Sequence, residues 1–137
     1  MLVEGDDFNE PVADAVRSTL DGHVVLTREL ATAGHFPAVD VLHSVSRLRD
    51  RVLPRSYHDV AQQMQRLIAA YREKEDLIAV GAYQHGSDPL VDQAIQMRDP
   101  IGDFLRQNPH DLSSWDETLQ SLETLSGSIK QVAGALS

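Results

Sequence analysis

Phe36-Pro37-Ala38-Val39-Asp40-Val41-Leu42, running on through His43 to Ser44-Val45-Ser46-Arg47, divides this chain into two kinds of sequence. Before it, short helical and β-branched runs alternate; after it, the pattern is helical. Proline removes the α region from the residue before it, so Phe36 is held in an extended or turn conformation with its ring presented. The hydroxyl residues beyond it can hold a loop by local side-chain to backbone bonds, from which the long cationic arm of Arg47 can reach an anion. The stretch thus sets an aromatic face and a guanidinium eleven residues apart.

Outward toward the N-terminus, Asn9 or Glu10 can cap a short helix with Pro11 in its first turn, where the missing N–H costs nothing, and Asp21-Gly22 ends it. His23-Val24-Val25-Leu26-Thr27 is β-branched and nearly continuous in apolar residues, the pattern of a strand buried on both faces of a parallel sheet. Its neighbours would lie outside this sequence, which leaves an orphan strand with unpaired edges. Leu2-Val3-Glu4 reads as the tail of a further strand running into the turn Gly5-Asp6-Asp7, and Met1 as the start of a truncated frame.

Outward toward the C-terminus, composition shifts near Arg51 to Arg55, which sets two domains, 1–50 and 51–137. Ser56, with Asp59 three residues on, heads a helix whose apolar stripe is Val60, Met64, Leu67, Ile68 and Tyr71. Leu77-Ile78-Ala79-Val80 continues or restarts it before Gly81. Asp88 caps a helix beginning at Pro89, with Leu90, Ala94, Met97, Ile101 and Phe104 on one side and a bend expected at Pro100. Ser114 and Glu117 form a capping-box pattern ahead of Trp115, Leu119, Leu122, Ile129, Val132 and Leu136. Three such helices make a small bundle.

Composition narrows the function. With 137 residues and 42% hydrophobic content the chain can bury roughly two-thirds of its unfolded surface. A net charge of −9, a pI near 4.9 and the lack of a Lys/Arg stripe argue against nucleic acid. Cysteine is absent, the six histidines are scattered without an HExxH pair, and no metal site is expected. Asp6, Asp7 and Asp99 are isolated carboxylates at turn or cap positions, where structural roles are expected. No apolar run is long enough to span a membrane, and the cytoplasm is the default compartment. A phosphate-binding loop needs a lysine after a glycine-rich turn, and neither Lys74 nor Lys130 follows one.

The runs Val3 to Asp7, Asn9 to Ser18, Leu20 to Leu30 and Phe36 to Arg47 resemble the hexameric P-loop ATPases of the rotary and type III export class, and within it the flagellar and type III secretion export ATPases. The similarity covers essentially the whole chain, strongly to Arg47 and more loosely beyond, but only the last third or so of the family's length. It implies a mainly α fold: a C-terminal helical bundle preceded by the last helix-strand-loop portion of a P-loop ATPase α/β domain. It implies ATP hydrolysis coupled to protein export by the full-length subunit, with ATP and Mg2+ as its ligands. The fragment itself is expected to be inactive and to bind neither.

Taken alone, Phe36 reads first as a core aromatic at a loop corner and Arg47 as a surface cation or half of a salt bridge. In relatives the aromatic stacks on the adenine ring, and stacking of this kind contributes about 1–3 kcal/mol. The resemblance therefore makes Phe36 an adenine platform. A second aromatic comes after the family's Phe-Leu-x-Gln motif, matched here by Phe104-Leu105-Arg106-Gln107, and its aligned position holds His110. Trp115 reads as packing. The arginine matching Arg47 reaches across the subunit boundary to the neighbour's γ-phosphate, a role worth roughly 10³–10⁵ in rate. Arg49 and Arg51 are assigned to the interface or solvent.

By the same resemblance, the loop Tyr83 to Asp88 faces a coiled-coil stalk protein in the pore of a homohexamer. A regulatory stator protein, export chaperone-substrate complexes and a place peripheral to the membrane export gate are implied with it. Two other readings stay open: a stand-alone helical docking module for such partners, and a subunit of an F-type rotary ATPase.

Overall fold

The structure, a computed structural model, describes residues 9–47, 51, 54–106 and 113–136. Helix α1 spans Pro11–Thr19, with Pro11 at its start and Glu10 as an N-cap that makes no side-chain hydrogen bond. Ala13 is its buried residue, and the chain leaves the helix extended at Leu20.

Strand β1, Gly22–Leu26, pairs antiparallel with strand β2, Val39–Ser46, in a two-stranded sheet. This corrects the expectation of an orphan strand buried on both faces. Val25 is buried while Val24 and Leu26 are 68% and 62% exposed, the alternation of a sheet with one open face. It also corrects the reading of 44–46 as loop. At Gly22 a Cβ would lie 2.7 Å from the Val45 carbonyl oxygen, so the two backbones meet only because glycine stands there. The paired residues are Gly22 with Ser46, His23 with Val45, Val25 with Asp40 and Leu26 with Val39. Residues 41–44 therefore bulge out opposite Val24.

Helix α2, Arg28–Thr32, was not legible in the sequence as a separate element; Thr27 caps it by accepting a hydrogen bond from the Leu30 N–H at 3.3 Å. It closes in a Schellman motif: Gly34, at φ +71°, donates to the Ala31 carbonyl and His35 to that of Leu30.

Three long helices complete the chain: α3, Arg55–Ala79; α4, Pro89–Leu105; and α5, Trp115–Ala135. Helix α4 packs against both others. Their shared core is Val60, Met64 and Leu67 of α3, Ala94, Met97 and Ile101 of α4, and Leu122, Leu125 and Ile129 of α5. The expected caps form at α4, where the Asp88 carboxylate accepts from the Leu90 and Val91 N–H groups, and at α5, where Ser114 and Glu117 complete a capping box.

Three local expectations are corrected. Helix α3 begins at Arg55 with Pro54 as N-cap, and Ser56 lies inside its first turn, because the Pro54 carbonyl already accepts the first bonds of the helix, from the Tyr57 and His58 N–H groups. At α4 the cap sets a phase that buries Val91 and leaves Leu90 43% exposed. At α5 Trp115 is 61% exposed and does not pack, while Leu125, overlooked in the stripe, joins the core. Helix α4 runs through Pro100 without interruption; Gln96 and Pro100 both face solvent, so the carbonyl that loses its helical donor is open to water.

Candidate functional site

Phe36 comes directly after the Schellman motif that ends α2, and Pro37 and Val39 turn the chain into β2 through a 2.8 Å hydrogen bond from the Val39 N–H to the Pro37 carbonyl. The Phe36 peptide bond to Pro37 is cis. The ring is 51% exposed, a presented aromatic and not a core one. Its sequence neighbours His35 and Pro37, but not Phe36 itself, line a cleft of about 410 Å³ that lies between Pro37, Val39 and Val41 on one side and Phe104, Leu105 and Glu117 on the other. Its walls are mostly apolar and of a size to admit a flat heterocycle. His35, also on this cleft, has its pKa lowered by burial and by the nearby Arg106 guanidinium, which favours the neutral imidazole.

Arg47 stands just past the other end of β2. Its N–H donates to the Asp21 carbonyl at 2.8 Å, closing the sheet, and its side chain is exposed with no ion-pair partner among the described residues. The four residue steps from Gly22 to Leu26 put roughly 14 Å of ladder between the two ends. The sheet therefore holds Phe36 and Arg47 apart at opposite ends and does not bring them to one site within the chain. His110 lies outside the described residues, although the helix ends that flank it, at 104–106 and 113–118, line the cleft beside Phe36.

Two buried carboxylates, neither singled out in the sequence, organise the surroundings. Asp40 is 4% exposed and accepts from the Leu42 N–H at 3.0 Å, the His43 N–H at 3.2 Å, His43 Nδ1 at 3.0 Å and Arg72 Nη1 at 3.1 Å. Burial works to raise its pKa, but the bonds from His43 and Arg72 outweigh it and hold the carboxyl below the usual carboxylate range. Asp92 accepts from the Gly86 N–H at 2.7 Å, the Tyr83 hydroxyl at 3.0 Å and His85 Nδ1 at 3.3 Å. Burial again pushes its pKa up, and the bonds from Gly86, Tyr83 and His85 bring it down on balance. Asp92 thereby fastens the loop between α3 and α4, whose rim carries the exposed Leu77, Val80 and Leu90. A carboxylate on a helical pattern gives no sequence signal for such a role, since its partners depend on the fold.

Among the described residues, no group of three or more His, Cys, Asp or Glu side chains is placed to hold a metal ion, and no helix is long and apolar enough to cross a membrane.

Residues 54–124 match the family described as the T3SS EscN ATPase C-terminal domain, and residues 1–46 match the ATP synthase alpha/beta family, nucleotide-binding domain. The chain is 48% identical over 127 residues to the flagellum-specific ATP synthase of Treponema pallidum, covering 93% of this chain and 28% of the relative. It is 44% identical over 131 residues to the type 3 secretion system ATPase of Pseudomonas savastanoi pv. phaseolicola, covering 96% of this chain and 29% of that one. The solved structure of the assembled ATPase EscN from the enteropathogenic E. coli type III secretion system superposes with a TM-score of 0.86 at 44% identity, over 91% of this chain and 30% of that one. EscN in complex with its central stalk EscO gives 0.79 at 44% identity, over 84% and 28%. The chain thus spans under a third of the length of these relatives. Its small sheet and helical bundle are the C-terminal portion of that architecture, and the chain belongs to the flagellar and type III secretion ATPase family, with the EscN-type C-terminal domain.

Proposed function

We propose that this chain is the C-terminal part of an ATPase that works as a homohexameric ring and hydrolyses ATP to energise flagellar or type III protein export. Residues 1–50 close its nucleotide-binding domain and 51–137 form its helical domain. Phe36 stacks on the adenine, and His110 is the second residue that contacts the nucleotide. ATP with Mg2+ brings the scissile phosphate; this chain's residues grip the base and supply one cation. The phosphates and Mg2+ are held by a P-loop that these residues do not include.

The observation that carries the reading is that Phe36 precedes one end of β2 and Arg47 follows the other. Two residues placed beyond opposite ends of a ladder roughly 14 Å long suit a ring in which each copy grips its own base and extends its arginine to the neighbour's phosphates. There the guanidinium offsets charge that builds in the transition state. Activity then depends on assembly, because no subunit completes its own site. The loop fastened by Asp92, with Leu77, Val80 and Leu90 around it, faces a coiled-coil stalk; regulator and chaperone-cargo complexes dock on the same helical domain in the cytoplasm, beside the membrane export gate.

The test is steady-state ATP hydrolysis by the complete subunit and its Arg47→Ala variant across a range of protein concentrations. Wild-type turnover should rise steeply as rings form, and the variant should lose roughly 10³-fold or more. Wild-type-like turnover in the variant, with no concentration dependence in either protein, refutes the trans role.

A further inference from the structure

Strand β2, which runs between Phe36 and Arg47, is interrupted along its length. Residues 41–44 stand opposite the single Val24, and the ladder resumes only at Val45. Asp40 shapes this bulge from inside, through its bonds to the Leu42 and His43 backbone, while the Ser44 hydroxyl donates to the Asp40 carbonyl at 2.6 Å and accepts from the Val25 N–H at 2.9 Å. From outside, helix α3 reaches the bulge twice. Arg72 Nη1 donates to Asp40 at 3.1 Å and Gln65 Nε2 donates to the Val41 carbonyl at 3.2 Å. The two side chains are seven residues apart, two turns along one helix face.

A bulge next to a working residue re-aims the segment beyond it. Because side chains alternate across a strand, a change of one residue in how the surplus is absorbed moves Val45, Ser46 and Arg47 to opposite faces. We propose that Arg72, with Gln65, is a positioning residue: by gripping the bulge at 41–44 and the Asp40 that borders it, helix α3 sets the direction in which Arg47 leaves the strand, and so couples the helical domain to the cation that completes the neighbour's site. The inference rests on the reading of Arg47 given above. A side chain acting this way affects the reaction through Arg47 and not through substrate, so its loss appears in kcat.

The complete subunit is assayed as Arg72→Ala, Arg72→Lys, Arg47→Ala and the double variant, at concentrations where rings form. Arg72→Ala lowers kcat about ten- to a hundredfold, the scale of an ångström-sized misplacement, with KM nearly unchanged. Arg72→Lys restores most of it, since the bond to Asp40 needs one donor. The double variant is no slower than Arg47→Ala alone. Unchanged kcat in Arg72→Ala, or effects that multiply in the double variant, overturn the positioning role. Full activity in Arg47→Ala or an inactive wild type strikes the ring-ATPase reading instead.

A measurement independent of turnover settles the coupling in either case. These residues include no cysteine; in the complete subunit, with any cysteine outside them replaced, spin labels at Val45→Cys and Val80→Cys, both exposed positions, report the strand against helix α3. The distance distribution is narrow in the otherwise wild-type protein and broadens when Gln65→Ala and Arg72→Ala are added, with helix content retained. An unchanged distribution overturns the proposal.

Discussion

Replacing Met97 by alanine tests the helical core at its centre. Met97 is 1% exposed, lies on α4, and belongs to the core cluster that also holds Met64 and Leu67 of α3 and Leu125 and Ile129 of α5. The substitution removes about three methylene-sized groups at ~0.8 kcal/mol each. Because α4 is packed on both sides, the neighbours cannot close fully on the gap, and the remaining void adds about 1 kcal/mol, for a loss near 3.5 kcal/mol. For a folding unit of about 80 residues, that lowers the melting temperature by roughly 15–25 °C. Thermal unfolding followed by circular dichroism at the helical band reads the shift directly. Met97→Leu, which keeps the volume, should cost under about 1.5 kcal/mol, and Leu77→Ala, at a position 46% exposed, under about 1 kcal/mol. A Met97→Ala loss no larger than that of Leu77→Ala would refute the claim that the three helices share one packed core around this side chain.

Gly22→Ala drives a methyl group against the Val45 carbonyl, so the β1–β2 ladder opens at that end; amide exchange at Arg47, whose N–H bonds Asp21 across the same end, should accelerate, while the helical amides stay protected. Asp92→Ala removes the acceptor of the Gly86 N–H, and exchange at Gly86 should rise without a matching change along α5. Asp40 and Asp92 both have folded pKa values below the ordinary carboxylate range. Their stabilising contribution is therefore complete above about pH 4 and is lost as pH falls through the lowered values. The melting temperature of the wild type should drop on acidification below pH 4, and the gap between wild type and Asp40→Asn should narrow there; a gap that is constant from pH 7 to pH 3 contradicts the assignment.

What the sequence disclosed was local. Pro11 at a helix start, Asp88 before Pro89, Ser114 with Glu117, and Gly81 after α3 act within one turn, and each is found at its expected end. The presented ring of Phe36 came from its proline in the same way. Strand β2 was missed because its polar run, His43 to Ser46, reads as a loop; only pairing with β1 makes it a strand, and the bulge breaks the alternation that would have marked it. Asp40 and Arg72 are 32 residues apart, and no spacing rule links them. Trp115 and Leu90 sit at helix starts, where the first turn can face either way and the apolar stripe does not fix the phase.

The grip of Arg72 and Gln65 on the bulge also orders events during synthesis. Translation delivers the strand between Phe36 and Arg47 before the helix that holds its kink, and domains generally form from the N-terminal end as they emerge. Here that order cannot finish the job: the strand waits, half-shaped, for a segment made later. A ribosome stalled before α3 leaves a nascent chain in which nothing made so far fixes the heading of Arg47.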